Sequence, residues 1–341
     1  MKTYLLPPDL TYYKANLHCH TTFSDGHKTP AEVKEIYQSL GYSVLAITDH
    51  EVLIPHDEIT DDKFLCLHGV EMDVGEEDER PFKLKKSCHI GCIALDKDNV
   101  IQPCYNREKY VYGDAIQYRH LVKFDESLPD YIREVTPAGI SDIMTTAAQK
   151  GFFVTYNHPT WNMQIYPEYS NFYGMHAMEI CNGGCFVNGY ETSDPKVYDD
   201  LLRQNRRLFC IAADDNHNSR SLGENKCDAG VAFTMIAAPK LEYNTITSAL
   251  VKGNFYASQG PTISDFWFED GKIHISCSDA AAVRCNYGVR RVEMVYAEKG
   301  EVLNEAEFTF LPDDFYFRIT VIDKEGKKAF TNGYFAEDLF K

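Results

Sequence analysis

This sequence predicts an α/β fold followed by a small antiparallel β domain, on three observations. Short apolar runs alternate with helical patterns over the first three-quarters of the chain. A histidine or carboxylate stands at or just after run after run, in chain order. Beyond Gly260-Pro261 the pattern turns to strands, with turn pairs at Asp270-Gly271, Lys299-Gly300 and Glu325-Gly326. At 341 residues there is room for one large unit and a small one, expected as 1–258 and 259–341.

The elements follow in order. The apolar-polar run from Tyr13 to Leu17 ends on His18-Cys19-His20. Buried strands are expected at 43–48, 64–70, 89–95, 152–156, 177–181 and 208–212, each a short apolar run. Thr29-Pro30-Ala31-Glu32 combines an N-cap, a first-turn proline and a glutamate at N3, so a helix starts there, runs through Leu40 and stops at Gly41. Thr136-Pro137 opens a second helix ending near Gly151. Between them, 96–134 is polar and tyrosine-rich (Tyr105, Tyr110, Tyr112, Tyr118, Tyr131) and too long for a plain connection. It is expected as a lid or substrate wall, against the alternative of an excursion without function. Residues 315–321 alternate strictly, as a half-buried strand does.

Composition narrows the class. An apolar fraction of 44% with 25% charged residues describes a soluble globular protein. A formal charge of −17 speaks against a nucleic-acid binder, which needs basic stripes to displace counterions. The eleven cysteines are scattered, several inside apolar runs (Cys66, Cys92, Cys181, Cys210), and Cys181-x3-Cys185 has no second pair to complete a zinc site. A reducing, cytoplasmic location is the expectation. Residues 1–9 are too poor in apolar side chains for a signal peptide, and no run approaches a membrane span.

The chemistry is carried by His18, His20, Asp25, His50, Glu71, His89, His158, Asp215 and His217. On a strand, His18 and His20 point to one face and can share an ion. In a barrel of parallel strands the C-terminal strand ends meet at one mouth, so residues far apart in sequence converge there. Histidine with carboxylate suits Zn, Mn or Fe. Singly, each position has a plainer reading: a hydrogen-bonded histidine, a solvated Glu71, or turn chemistry at Asp215-x-His217. His27, His56, His68, His120, His176 and His274 are read as background. The joint pattern is what favours metal ligation.

Taken together, His18-x-His20 with Ser24-Asp25-Gly26, Thr48-Asp49-His50, Gly69-Val70-Glu71, His89, Asn157-His158-Pro159 and Asp215-x-His217 resemble the motif series of the PHP (polymerase and histidinol phosphatase) superfamily, over roughly residues 13–258. The tail, Asn254-Phe255-Tyr256-Ala257-Ser258-x-Gly260-Pro261 and Ala329-x-Thr331-Asn332-Gly333, resembles the CehA/McbA type, which appends a small β domain, here expected to be sandwich-like. His68 and Gly333 stand where those proteins often carry proline, and Asp214 adds a carboxylate beside Asp215.

The resemblance implies a distorted (β/α)7 TIM-like barrel with up to three divalent ions (Zn, Mn or Fe) at its mouth. It implies a first ion on His18, His20, Glu71 and Asp215, a second on Glu71, His89 and His158, and a third on Asp25, His50 and His217. Such a cluster is net positive and attracts a phosphate dianion. A water bridging two ions loses a proton near neutral pH and becomes the nucleophile. The expected function is hydrolysis of a small phosphomonoester or nucleotide, with Glu71 and Asp215 catalytic through the ions they hold. Arg220 is expected either to fork onto the phosphate or to be a solvated loop residue. Two rivals remain, an amide or ester hydrolase on the same cluster and a non-catalytic ligand-binding protein. The expected partner is a small phosphorylated substrate, with no nucleic acid and no membrane, and the oligomeric state is not legible.

Overall fold

The computed structural model describes residues 2–190 and 194–341. Strand Thr11–Asn16 pairs in parallel with Val44–Ile47, and that strand with Leu65–Gly75. Further along the same sheet, Phe152–Tyr156, Ala177–Asn182 and Phe209–Ala213 are again parallel to one another. These strands are buried along most of their length, which is why they read as continuous apolar runs.

One strand departs from the expected parallel pattern. Ser87–Ala94 runs antiparallel to both Leu65–Gly75 and Phe152–Tyr156. The chain between Gly75 and Ser87 holds only a short 3-10 turn, too little for a helical crossover. His89 therefore sits near the beginning of its strand, and that beginning lies at the same end of the sheet as the C-terminal ends of the parallel strands.

The helices cover the outside. Thr29 accepts from Glu32 N while Glu32 accepts from Thr29 N, completing the capping box of helix Pro30–Ser39. That helix buries Val33 and Tyr37 in one apolar cluster with Leu45, Ile47 and Phe64. Thr136 caps helix Pro137–Gln149, which buries Ile140, Ile143, Met144 and Ala147.

The two ends of this strand series come together. Beyond Phe209–Ala213, Asp215 N donates to His18 O at 3.0 Å and His20 N donates to Asn216 O at 3.0 Å. The segments after the first and last of these strands are thus joined side by side.

On its other flank Thr11–Asn16 pairs with Phe233–Ala238, which pairs with Phe255–Ser258, which pairs with Lys328–Phe330. Pairing therefore runs straight across the expected 258/259 division. Tyr316–Ile322 and Ala282–Tyr287 extend the sheet, and a second, four-stranded antiparallel sheet faces them. Phe266, Ile273, Ile275 and Phe308 pack against Val283, Cys285, Phe317, Ile319 and Val321 between the two sheets. The N-terminus joins this unit rather than the first: Thr3–Tyr4 pairs with Ile263–Glu269, and Leu5 and Leu6 lie in the same core.

Segment 96–134 has local structure of its own. It contains the 3-10 helix Gly113–Leu121, and its Val111, Ala115 and Val122 form a small cluster with Val52. Of its five tyrosines only Tyr112 lines the large cleft described below. Among the described residues no helix is long and apolar enough to cross a membrane, and all eleven cysteines are free.

Candidate metal centre

All nine expected ligand residues converge on one cleft of about 990 Å³, lined by Asp25, His50, Glu71, His89, His158, Asp215 and His217 with Tyr112 and Trp161. His18 and His20 lie beneath it, fully buried. Glu71 is the hub. Its Oε1 is 3.1 Å from His18 Nε2 and 3.3 Å from both His89 Nδ1 and His158 Nε2. Its Oε2 is 3.3 Å from His50 Nδ1 and 3.4 Å from His20 Nε2. Asp215 Oδ1 lies 3.2 Å from His18 Nε2 and 3.1 Å from His20 Nε2. Asp25 Oδ2 stands 3.4 Å from His217 Nε2 and 3.8 Å from His50 Nε2.

This donor set fits divalent cations. Two ligand atoms on one cation at about 2.0–2.2 Å stand about 3–3.5 Å from each other, the spacing seen around Glu71 and Asp215. Four sets have all their ligand atoms within 4.8 Å: His20-Asp25-His50-His217, His18-His158-Asp215, His18-His20-Glu71 and His50-Glu71-His89. His20 and His50 each belong to two sets, so adjacent positions share side chains. The buried atoms His50 Nδ1, His89 Nδ1 and Glu71 Oε2, which face one another, have no hydrogen-bond partner, and a buried lone pair without a donor asks for a cation.

Electrostatics say the same. Burial works against charge on His20, yet Asp215 and Glu71 hold its pKa up at about 10. Burial likewise opposes charge on His89, and Glu71 and Asp73 outweigh it, giving about 9. Burial would raise Glu71, but His18, His89 and His158 hold it far below the usual carboxylate range. His50 goes the other way, to about 3, through burial and the neighbouring His20. The pocket thus demands positive charge, met by protons until cations take their place.

Glu51 (φ 64°), His158 (φ 27°), Asp215 (φ 50°) and Asn218 (φ 56°) are non-glycine residues at positive φ, all beside or within the ligand set.

Several supporting residues escape a reading of the sequence. Glu179 Oε1 accepts from His18 Nδ1 at 2.7 Å, which leaves Nε2 to face the cleft. Its Oε2 accepts from His158 N at 2.8 Å and Asn182 Nδ2 at 2.9 Å. Asn157 Nδ2 donates to Glu71 Oε1 at 2.8 Å. Asp49 accepts from Thr21 N (2.7 Å) and from the hydroxyls of Thr21 and Ser24 (both 2.6 Å), fixing the loop that carries Asp25. His217 Nδ1 donates to Asp215 O at 3.0 Å, leaving Nε2 to face Asp25. Glu179 had one signal, a lone charge in the apolar run 177–181, which a buried strand tolerates only with partners.

Asp214 and Asp215 divide sharply. Asp214 points away from the cleft and accepts from Tyr37 Oη and the backbone N–H groups of Gly230, Val231 and Ala232. Arg220 is not brought to the centre. It is exposed and lines a separate surface cleft with His27, Lys28 and Glu224. Asp228 caps the amides of His217 and Asn218, and the left-handed turn at Asn218 sends the chain outward before Arg220. His56 and His68 pair with Glu58 and Asp57, away from the ligand set.

The model of the PHP domain family matches residues 16–217. The chain belongs to the PHP domain family. No curated protein matches this PHP protein. Among solved structures it resembles a two-domain protein containing a predicted PHP-like metal-dependent phosphoesterase from Bacteroides vulgatus ATCC 8482, at 15% identity and TM-score 0.40, over 97% of this chain and 89% of that one. A Bifidobacterium adolescentis ATCC 15703 protein, provisionally named a metal-dependent phosphoesterase, aligns at 17% identity and TM-score 0.40, over 65% and 94%. An amidohydrolase from Chromobacterium violaceum with bound sulfate and no metal aligns at 16% and 0.35, over 62% and 89%.

Proposed function

We propose that this PHP protein is a metal-dependent phosphoesterase that hydrolyses a small phosphomonoester or nucleotide. The observation carrying this reading is the convergence of six imidazoles and three carboxylates on one open cleft, with His50 Nδ1, His89 Nδ1 and Glu71 Oε2 unpartnered among them. His18, His20, Glu71 and Asp215 would hold one ion, His89 and His158 with Glu71 a second, and Asp25, His50 and His217 a third. Divalent ions such as Zn, Mn or Fe supply charge neutralisation at phosphoryl oxygens and a lowered pKa for water when bound there. The protein's own part is to keep ligand atoms fixed. Glu179 and the Asp215 carbonyl set the ring nitrogens of His18 and His217, Asn157 orients Glu71, and Asp49 holds the Asp25 loop. Trp161 and Tyr112 wall the cleft where a leaving group would lie. The hydrogen bonds joining 214–217 to 18–20 support the finer architecture, a sheet closed into a distorted barrel.

A second reading has one observation in its favour. Among the described residues lining the cleft there is no lysine or arginine, so the wall itself offers a phosphate no cation, and a neutral amide or ester would enter as readily. The deciding experiment is phosphate release from a panel of sugar phosphates and nucleotides by metal-loaded protein, beside amide and ester substrates. Release of inorganic phosphate with no acyl hydrolysis supports the first reading. The converse supports the second.

A further inference from the structure

Segment 96–134 touches the candidate metal centre chiefly through the loops that carry His50 and Asp25. Arg133 forks onto Glu51, the residue after His50, with Nη1–Oε1 at 2.6 Å and Nη2–Oε2 at 2.7 Å. The two side chains are 3% and 1% exposed. Nη1 also donates to Asp73 O at 2.6 Å, and Glu51 Oε1 accepts from Asp73 N at 2.7 Å. Tyr110 lies 4.3 Å from the guanidinium, and its hydroxyl accepts from Arg133 N at 2.9 Å. Gln102 secures the same turn, donating to Glu51 O at 2.9 Å and accepting from Leu53 N at 2.8 Å. Tyr112 rests 5.7 Å from the His50 ring. Tyr118 packs 4.4 Å from Phe23, two residues before Asp25.

Most of these contacts reach the loops bearing His50 and Asp25; the one to Asp73 is through its backbone, while its Oδ1 lies 3.6 Å from His89 Nε2. Among the described residues, no hydrogen bond or ring contact of the segment reaches His18, His20, His89, His158 or Asp215. Glu51 is held at φ 64°, a conformation that persists only when its surroundings over-determine it, and the buried fork from Arg133 is what does so. We infer that Arg133 is a positioning residue for the Asp25–His50–His217 ion position, acting through Glu51, and that segment 96–134 controls retention of that ion more than that of the others. This rests on the metal-centre reading above and adds to it a division of labour.

The test is metal content and affinity, read without turnover. Wild type, Arg133→Met, Arg133→Lys and Tyr118→Ala are equilibrated at a series of buffered Mn²⁺ concentrations, and bound metal per chain is measured by elemental analysis. The expected result is that Arg133→Met binds one ion about 10–100-fold less tightly, with the remaining ions changed far less. Arg133→Lys, which keeps the charge but not the fork, falls between the two. Tyr118→Ala weakens the same ion by a few-fold and decides the matter if Arg133→Met fails to fold. Folded variants with unchanged binding of every ion, or with all ions weakened alike, overturn the inference. Wild type that binds no metal overturns the parent reading too, and so separates the two failures.

Discussion

Replacing Glu179 by glutamine tests the candidate centre without touching a ligand. The side chain is buried, and its two oxygens accept three hydrogen bonds, from His18 Nδ1, His158 N and Asn182 Nδ2. Glutamine keeps the shape but turns one acceptor into a donor. With the amide nitrogen toward His18, two donors meet unless the imidazole changes tautomer, and the other tautomer protonates Nε2, the nitrogen facing Glu71 and Asp215. With the nitrogen toward His158 and Asn182, two N–H groups lose their acceptor. Either the nitrogen that faces the cleft carries a proton an ion must displace, or a buried polar group goes unpaired, at a cost of about 1–3 kcal/mol. That corresponds to a roughly 10–100-fold loss of metal affinity, the range found for partners of metal-bound histidine. Competition against a chelator of known affinity, with circular dichroism as a control for folding, measures it. A folded Glu179→Gln protein with wild-type metal affinity would refute the view that Glu179 sets the His18 tautomer.

Three further outcomes are expected. Glu71→Gln removes the carboxylate shared by five imidazoles and should abolish hydrolysis while far-ultraviolet circular dichroism stays unchanged; turnover near the wild-type rate would remove Glu71 from the machinery. In metal-free protein His20 and His89 titrate at about 10 and about 9, above the free-imidazole value, so both hold protons at pH 7 that a cation must displace. Apparent metal affinity should therefore rise with pH up to about 9, by as much as tenfold per unit for each proton released. The stability these protonated histidines lend the metal-free protein is full below pH 6.5 and lost as pH climbs through 9 to 10. Calorimetry in buffers of different ionisation enthalpy counts the protons, and a count of zero at pH 7 contradicts the shifts. Gly91→Ala places a methyl against Thr155 Oγ1 and 3.1 Å from Asn157 Nδ2, which holds Glu71, so it should lower metal affinity by about tenfold or more, read by the same chelator competition.

What the sequence disclosed and what it hid divide along a physical line. Ligand-type residues such as His18 and Asp215 stand out because they end apolar strands, where chemistry-bearing side chains contrast with what surrounds them. Strand existence was legible for the same reason, whereas the direction of Ser87–Ala94 was not, since an apolar run reads alike in either direction. Its antiparallel course depends on the brevity of the link from Gly75. The attachment of Thr3–Tyr4 to the C-terminal sheet joins residues about 260 positions apart and leaves no local trace. Supporting residues are hidden differently. Asn157, Asp49 and Arg133 are ordinary polar residues in composition and spacing, and only three-dimensional placement gives them partners. Asp214 and Asp215 show the limit most sharply: identical side chains one bond apart, one turned into a cage of backbone N–H groups and the other, at φ 50°, into the cleft. Burial raises the first to about 6, while the histidines hold the second far below the usual carboxylate range against its own burial. Chemistry at this centre is therefore assigned by backbone direction as much as by residue type.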